Sequence, residues 1–128
     1  MREIKYRAWD IQTESMRDVL VIDWVNELID LSGGIIERRP HEVKIMQYTG
    51  LKDKNGVEIF EGDIVHLTSD EGVNYNALIV FKDGGFCAID GTESDYSIRR
   101  YDLSRFDFNL EVIGNTHENP ELSATKKD

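Results

Sequence analysis

The sequence predicts a mainly β domain, and three observations support that prediction. Short runs of β-branched and aromatic residues, several of them alternating with polar ones, recur at intervals of about ten residues. Turn signals that contain glycine separate these runs, among them Asn55-Gly56 and Asp83-Gly84. Only two segments, residues 21–29 and 102–109, have a spacing that a short helix would also satisfy. Many short strands joined by such turns are typical of a small barrel or sandwich.

Three strands are predicted in the first part of the chain. Residues 4–9 (IKYRAW) alternate apolar and charged side chains, which is the period of a half-buried strand. Residues 16–24 contain the β-branched run VLVI, and residues 43–48 (VKIMQY) supply the third candidate. Gly33-Gly34 and Pro40 interrupt the chain before that third strand.

The second part of the chain predicts four more strands, at residues 64–67, 75–81, 86–89 and 110–114. Asp83-Gly84 should form a tight hairpin turn between the middle two, because glycine tolerates the positive φ that such a turn requires. A closed barrel built from these strands would remove the exposed edges on which other chains could add.

The two ambiguous segments leave strand and helix open. Apolar residues in 21–29 fit a helical spacing about as well as a strand spacing. Residues 102–109 could form one helical turn with Leu103 and Phe106 facing inward. We expect at most one short helix in each.

Composition and length predict one globular domain over residues 1–122, followed by a frayed tail at residues 123–128. The chain has 128 residues, of which 40% are hydrophobic and 31% charged. The longest apolar run is far shorter than the ~20 residues of a membrane span, and no signal-peptide core follows the N-terminus. We therefore expect the protein to remain in the cytoplasm of the cell that makes it.

The net charge of −10 disfavours broad nucleic-acid binding, because affinity for phosphates depends on Lys and Arg, and it favours basic protein partners. A local basic patch stays open in residues 99–105. This segment contains three basic residues, Arg99, Arg100 and Arg105, with the aromatic residues Tyr101 and Phe106 among them. Together these side chains could form a patch on which bases stack. A solvated loop whose aromatic residues lie in the core is the commoner use of such a segment.

No pattern in the sequence requires a chemical reaction. Cys87 lies in an apolar run and is expected to be a small buried side chain. The carboxylates of Asp70-Glu71 and of residues 90–95 lie in segments typical of solvated loops. Acid–base catalysis would need two carboxylates held together with one desolvated, and nothing local predicts that.

The three histidines, His41, His66 and His117, are too far apart in sequence for a local metal site, and no cysteine pair accompanies them. A turn near the end of the chain is the expected use of His117. We predict no metal, no cofactor and no catalytic residue.

One long segment resembles a known family. Residues 46–65 (MQYTGLKDKNGVEIFEGDIV) are similar to the signature of the YopX-like proteins of bacteriophages and prophages. Residues 2–10 (REIKYRAWD) resemble the opening strand of that family, and residues 110–122 (LEVIGNTHENPEL) resemble its closing segment. The three segments cover about a third of the chain. Between them, only residues 80–86 fit.

Membership would imply a mainly β fold with an SH3-like barrel from about residue 46 onward and additional N-terminal strands. It would favour strands over a helix in residues 19–31. The family has no established biochemical role, so the resemblance implies no activity and no site residues. From the residues themselves, Gly50, Gly62 and Asn55-Gly56 are expected to make turns, and Asp63 to accept a backbone N–H.

The sequence therefore favours a phage or prophage accessory protein that is not an enzyme and binds another protein, which could be host-encoded. The first alternative is a nucleic-acid-binding SH3-like barrel, because residues 62–65 (GDIV) resemble the turn that opens several such barrels. The second is an acidic mimic of nucleic acid that occupies a host protein. An enzyme with a non-local site and a homo-oligomer are both compatible with the sequence.

Overall fold

The structure, a computed structural model, describes residues 3–68, 74–89, 100–102 and 109–123. The chain divides into two compact units, residues 1–48 and residues 49–128, and the boundary falls inside one strand. This division does not test the single domain predicted over residues 1–122, which stays a prediction. Residues 124–128 of the predicted tail lie outside the described residues.

The described secondary structure is almost entirely extended. The strands are β1 (Tyr6–Asp10), β2 (Ser15–Asp23), β3 (Leu28–Leu31), β4 (Ile36–Arg38), β5 (Val43–Lys52), β6 (Glu58–Phe60), β7 (Asp63–Thr68), β8 (Asn74–Lys82), β9 (Gly85–Ile89), β10 (Arg100–Asp102) and β11 (Asn109–Asn115). Two short helical segments complete the set, a 3₁₀ turn at Pro40–Glu42 and a four-residue α-helix at Pro120–Ser123. The prediction of a mainly β chain with at most one or two short helices is confirmed.

The first unit is an antiparallel sheet with strand order β4-β3-β2-β1-β5. One face of this sheet carries a small apolar core, because alternate residues of a strand point to the same side. Ala8, Ile29, Leu31 and Val43 are buried there, and Val19 and Ile36 pack against them.

Residues 19–31 form a strand, a turn and a second strand, so the helical alternative for residues 21–29 is wrong. The register pairs Val19 with Leu31 and then Val21 with Asp30, which leaves Leu20 as the extra residue of a β-bulge. This local break in alternation, followed by a turn, is what gave the segment an apparently helical spacing.

The second unit contains a five-stranded antiparallel sheet with order β10-β9-β8-β7-β11. Strand β6 lies beside β5, whose residues 49–52 belong to this unit. Its core is a separate cluster of buried side chains: Ile59, Val65, Leu67, Ala77, Ile79, Ala88 and Leu110. The Asp83-Gly84 hairpin is confirmed, since Lys82 pairs with Gly85 and both turn residues have positive φ, 56° and 84°.

Several expectations have a mixed outcome. The short strands β4, β6 and β10 were missed, because three residues are too few to show a period. Of the segment 102–109, Asp102 ends β10 and Asn109 begins β11, while residues 103–108 lie outside the described residues. The described strands form no closed barrel, and the SH3-like barrel from residue 46 onward stays a prediction.

Candidate functional site

The carboxylate of Asp53, in the signature segment, accepts three backbone N–H groups. One of its oxygens accepts the backbone N–H groups of Asn55 at 2.8 Å and Val57 at 2.9 Å, and the other accepts the N–H of Val112 at 2.9 Å. Burial acts to raise the pKa of Asp53, but these three donors outweigh it and hold the pKa below its usual value. Asp53 therefore fixes the Asn55-Gly56 turn and attaches it to β11.

The turn before β7 uses its polar groups in the same way. The Asp63 carboxylate accepts the N–H of Phe60 at 2.8 Å, as predicted. Gly62 has a φ of 88°, and its N–H donates to the carbonyl of Ile79 at 2.9 Å. The hydroxyl of Thr49 donates to the carbonyl of Ile59 at 2.7 Å. These bonds hold together β5, β6, β7 and β8.

The closing segment is built around Asn115. Its side-chain oxygen accepts the N–H groups of His117 at 3.0 Å and Glu118 at 2.8 Å, and its amide donates to the Glu118 carboxylate at 2.7 Å. Asn119 lies over Gly114, where an added Cβ would come within 2.5 Å of its oxygen. The turn expected around His117 is confirmed, and any larger residue at position 114 would require the Asn119 side chain to move.

Four buried polar side chains of the signature and closing segments thus bond to the backbone around them. Asp53, Asp63, Thr49 and Asn115 are all buried, and each makes the main-chain bonds described above. A general acid or base needs a carboxyl that faces substrate. The bonds that these side chains make are those of turns and strand ends.

The first unit contains one buried carboxylate, Asp10, which is fully inaccessible to solvent. Arg38 contacts both of its oxygens, at 2.8 and 3.1 Å, and the Thr13 hydroxyl donates to it at 2.6 Å. Arg17 lies 3.7 Å away and donates to the carbonyl of Ser32 at 3.1 Å. The cluster ties β1, β2 and β4 together, and the hydrogen bond from Arg38 is the main cause of the lowered pKa of Asp10.

We expect both carboxylates to make stability depend on pH. Their pKa values lie below the ordinary value of 3.8 in the folded chain. In the window between the lowered and ordinary values, the unfolded chain binds more protons, so stability rises with pH there. The contribution is complete above pH values near 3.8 and is lost as pH falls through the lowered pKa. Urea unfolding midpoints measured from neutral to acid pH should fall accordingly, and the fall should shrink in Asp53→Asn.

The candidate residues of the sequence do not meet in one site. Cys87 is buried on β9, as predicted. His41 is exposed in the 3₁₀ turn, and His66 on β7 contacts the side-chain oxygen of Asn76 at 2.8 Å. Among the described residues, no three His, Cys, Asp or Glu side chains are placed to hold a metal ion.

Other candidates cannot be placed. The side chains of Arg100 and Tyr101 on β10 are not described. The remaining members of the arginine segment and the acidic loops lie outside the described residues: Arg99, Arg105, Phe106, Asp70, Glu71 and residues 90–95. The described part of the chain contains no helix long and apolar enough to cross a membrane.

The most unusual surface of the first unit is apolar. Of the eleven large hydrophobic side chains that are exposed in the described chain, five lie between residues 20 and 35. We call them the apolar stripe: Leu20, Val21, Trp24, Val25 and Ile35. The pattern of residues 21–29 left strand and helix open and did not show which apolar side chains are exposed, because the bulge and the turns are not visible in it.

A structured turn presents the end of the stripe. Trp24 is 80% exposed and Val25 is 90% exposed between β2 and β3. The Asp23 carboxylate accepts the N–H groups of Val25 and Asn26 and the side-chain amide of Asn26, at 2.8 to 3.1 Å. Arg39 donates to the carbonyl of Asn26 at 3.2 Å. These bonds order the turn before anything binds it.

At its other end the stripe borders a shallow cavity of about 330 Å³. Leu20 and Ile35 form apolar parts of its wall, and Asp30 and Glu37 contribute carboxylates. This mixture of apolar and anionic groups suits a side chain that has an aliphatic stem and a cationic end.

Comparison with known proteins identifies two similar crystal structures and one family. The chain is similar to protein EF1440 from Enterococcus faecalis, a crystal structure with 33% identity and a TM-score of 0.65, over 95% of this chain and 99% of that one. It is also similar to the crystal structure of protein yopX from Bacillus subtilis, with 23% identity and a TM-score of 0.61, over 95% and 98% of the two chains. No curated protein matches it. The model of the YopX protein family matches residues 5–123, so this chain belongs to the YopX family.

Proposed function

We propose that this protein is a non-enzymatic interaction module, encoded by a phage or prophage and acting in the bacterial cytoplasm, which binds another protein through the apolar stripe. The observation that carries the proposal is the exposure of Trp24 and Val25 on an ordered turn. Exposed apolar patches of this kind mark interaction sites, and tryptophan is prominent among residues that dominate binding energy.

The use of the signature residues supports the same proposal. Asp53, Asp63 and Asn115 make bonds to the backbone around them. Bonds of this kind support turns and strand ends, which agrees with a structural use of these three side chains.

No specific observation favours the nucleic-acid alternatives. The turn at residues 62–65 that resembles RNA-binding barrels is closed by the bond from Phe60 N–H to Asp63. The arginine segment that could form a stacking patch lies almost entirely outside the described residues. The acidic mimic would require contacts spread over the charged surface, whereas the exposed tryptophan and valine point to an apolar contact.

Quantitative affinity capture tests the proposal. The tagged chain and a Trp24→Ser, Val25→Ser variant are expressed in the bacterial cell that carries the gene, and recovered proteins are compared by mass spectrometry. We expect one protein to be enriched with the unchanged chain and its affinity to fall by about thirtyfold or more with the variant, since truncating a tryptophan that dominates binding costs about 2 kcal/mol or more. Val57→Ser, which removes an exposed valine of the second unit, should retain the partner. Repeated recovery of no specific protein would contradict the proposal.

A further inference from the structure

We infer that the shallow cavity lined by Leu20, Asp30, Ile35 and Glu37 receives a lysine or arginine side chain from an extended, basic segment of a protein partner. This inference rests on the proposed function and names the chemistry of the partner. The occupant is argued from the charge of the cavity, from its apolar wall and from the position of β4 in the sheet.

The charge of the cavity comes from two facing carboxylates. Asp30 on β3 is directly opposite Glu37 on β4. Asp30 lies between Ile29 and Leu31, which point into the core, so its side chain points to the opposite face. Like charges at directly opposed positions of an antiparallel pair destabilise a sheet.

Nothing in the described chain compensates this pair. Neither Asp30 nor Glu37 makes an ion pair with a described residue. The nearby basic residues Arg17 and Arg38 are directed to Asp10 instead. A cation supplied from outside would relieve the repulsion, so the face is complementary to a basic partner.

The apolar wall selects the kind of cation. Leu20 is exposed by the bulge of β2, and Ile35 projects fully into solvent at the turn before β4. Lysine and arginine lay their aliphatic stems along apolar surface while the charged end contacts carboxylates. A bare divalent cation would leave the side chains of Leu20 and Ile35 exposed to water, whereas an Arg or Lys side chain would cover them.

The position of β4 favours an extended segment. β4 is the last strand of its sheet in the described part of the chain, so its outer edge is open to main-chain pairing there. Peptides that add to a sheet edge gain affinity from backbone bonds and specificity from alternate side-chain pockets. Alternate residues of such a segment point to the same face of the sheet, so one of them can lay a basic side chain across β4 toward Asp30 and Glu37.

A second copy of this chain is a poorer occupant than a basic partner. The same face of a second copy would bring Asp30 and Glu37 against their own equivalents, and the whole chain carries a net charge of −10. Self-association through this face would therefore oppose like charges.

The test uses synthetic peptides and nuclear magnetic resonance of the ¹⁵N-labelled full chain. The probe is the peptide Arg-Leu-Arg-Leu-Arg with blocked ends. We expect its addition to shift the amide signals of residues 20–37, and we expect an Asp30→Asn, Glu37→Gln variant to bind about tenfold more weakly, since two half-exposed ion pairs are worth roughly 0.5 to 1 kcal/mol each. The analogue Glu-Leu-Glu-Leu-Glu should not shift these signals.

Controls separate this site from general attraction to an acidic protein. The double variant Glu111→Gln, Glu121→Gln also removes two negative charges, but from the second unit. It should bind the basic peptide as tightly as the unchanged chain does. Ile35→Ser should weaken binding, and Val57→Ser should not. The peptide Arg-Ser-Arg-Ser-Arg should bind more weakly than its leucine counterpart.

Several results would overturn the inference. These are no shift at residues 20–37, an equal loss of binding in both charge variants, and displacement of the basic peptide by magnesium or calcium at physiological concentration. Concentration-dependent dimerisation in light scattering that is lost in Asp30→Asn, Glu37→Gln would assign the face to a second copy and also overturn it. The capture experiment could also recover a partner whose binding requires Trp24 but is unchanged in the Asp30→Asn, Glu37→Gln variant. That result would overturn this inference and leave the proposed function standing.

Discussion

Asp53→Ala is expected to lower the free energy of unfolding of the second unit by about 3 kcal/mol. The substitution removes the acceptor of three backbone N–H groups, those of Asn55, Val57 and Val112. A buried donor left without a partner costs about 1 kcal/mol or more, and bonds to a charged group are among the stronger ones. Urea unfolding followed by circular dichroism measures the loss.

Two substitutions serve as controls for Asp53→Ala. Asp53→Asn keeps one acceptor oxygen and should lose an intermediate amount of stability. Glu111→Gln breaks only an exposed ion pair with Lys54, at 3.7 Å, and should change stability by less than about 0.5 kcal/mol. Equal stability of Asp53→Ala and Glu111→Gln would show that the carboxylate of Asp53 does not hold the turn.

Asp10→Ala is expected to destabilise the first unit by a similar amount, about 3 kcal/mol. Its carboxylate is buried and contacts Arg38, so its removal leaves the mostly buried Arg38 guanidinium without the carboxylate that accepts its hydrogen bonds. Both tryptophans of the chain, Trp9 and Trp24, lie in this unit. Tryptophan fluorescence during urea unfolding therefore reports selectively on the unit that the substitution affects.

The exposed carboxylate of Asp18 on β2 provides the control for Asp10→Ala. Asp18→Ala should leave the fluorescence midpoint within the small range of ordinary surface substitutions. If Asp10→Ala behaves like Asp18→Ala, then the cluster with Arg38 does not stabilise the sheet.

Much of the fold was predictable because the local signals were strong. Asp83-Gly84 forms the expected hairpin, since its two residues adopt the positive φ that few other pairs accept. The alternating run before it is strand β8. The three-residue strands could not be predicted, because three residues are too few to show a period and only pairing with β3 and β5 identifies β4 and β6 as strands.

The surface proposed for binding was harder to anticipate. The sequence shows Leu20, Val21 and Trp24 as apolar residues at spacings that a buried face would share. Only the bulge at Leu20 and the four-residue turn that follows β2 expose them, and both depend on pairing with β3. The opposition of Asp30 and Glu37 is likewise a matter of register, which no local pattern encodes.

The central claim is that the carboxylates of Asp53 and Asp63 hold the turns of the signature segment in place by accepting backbone N–H groups. Carboxyls that serve as catalytic acids or bases commonly titrate above their ordinary range. The most direct test is a nuclear magnetic resonance titration of the carboxyl carbon of Asp53 in the folded chain. The account predicts a midpoint below the ordinary value of 3.8, because three backbone donors favour the charged form. A midpoint at or above that value would contradict it.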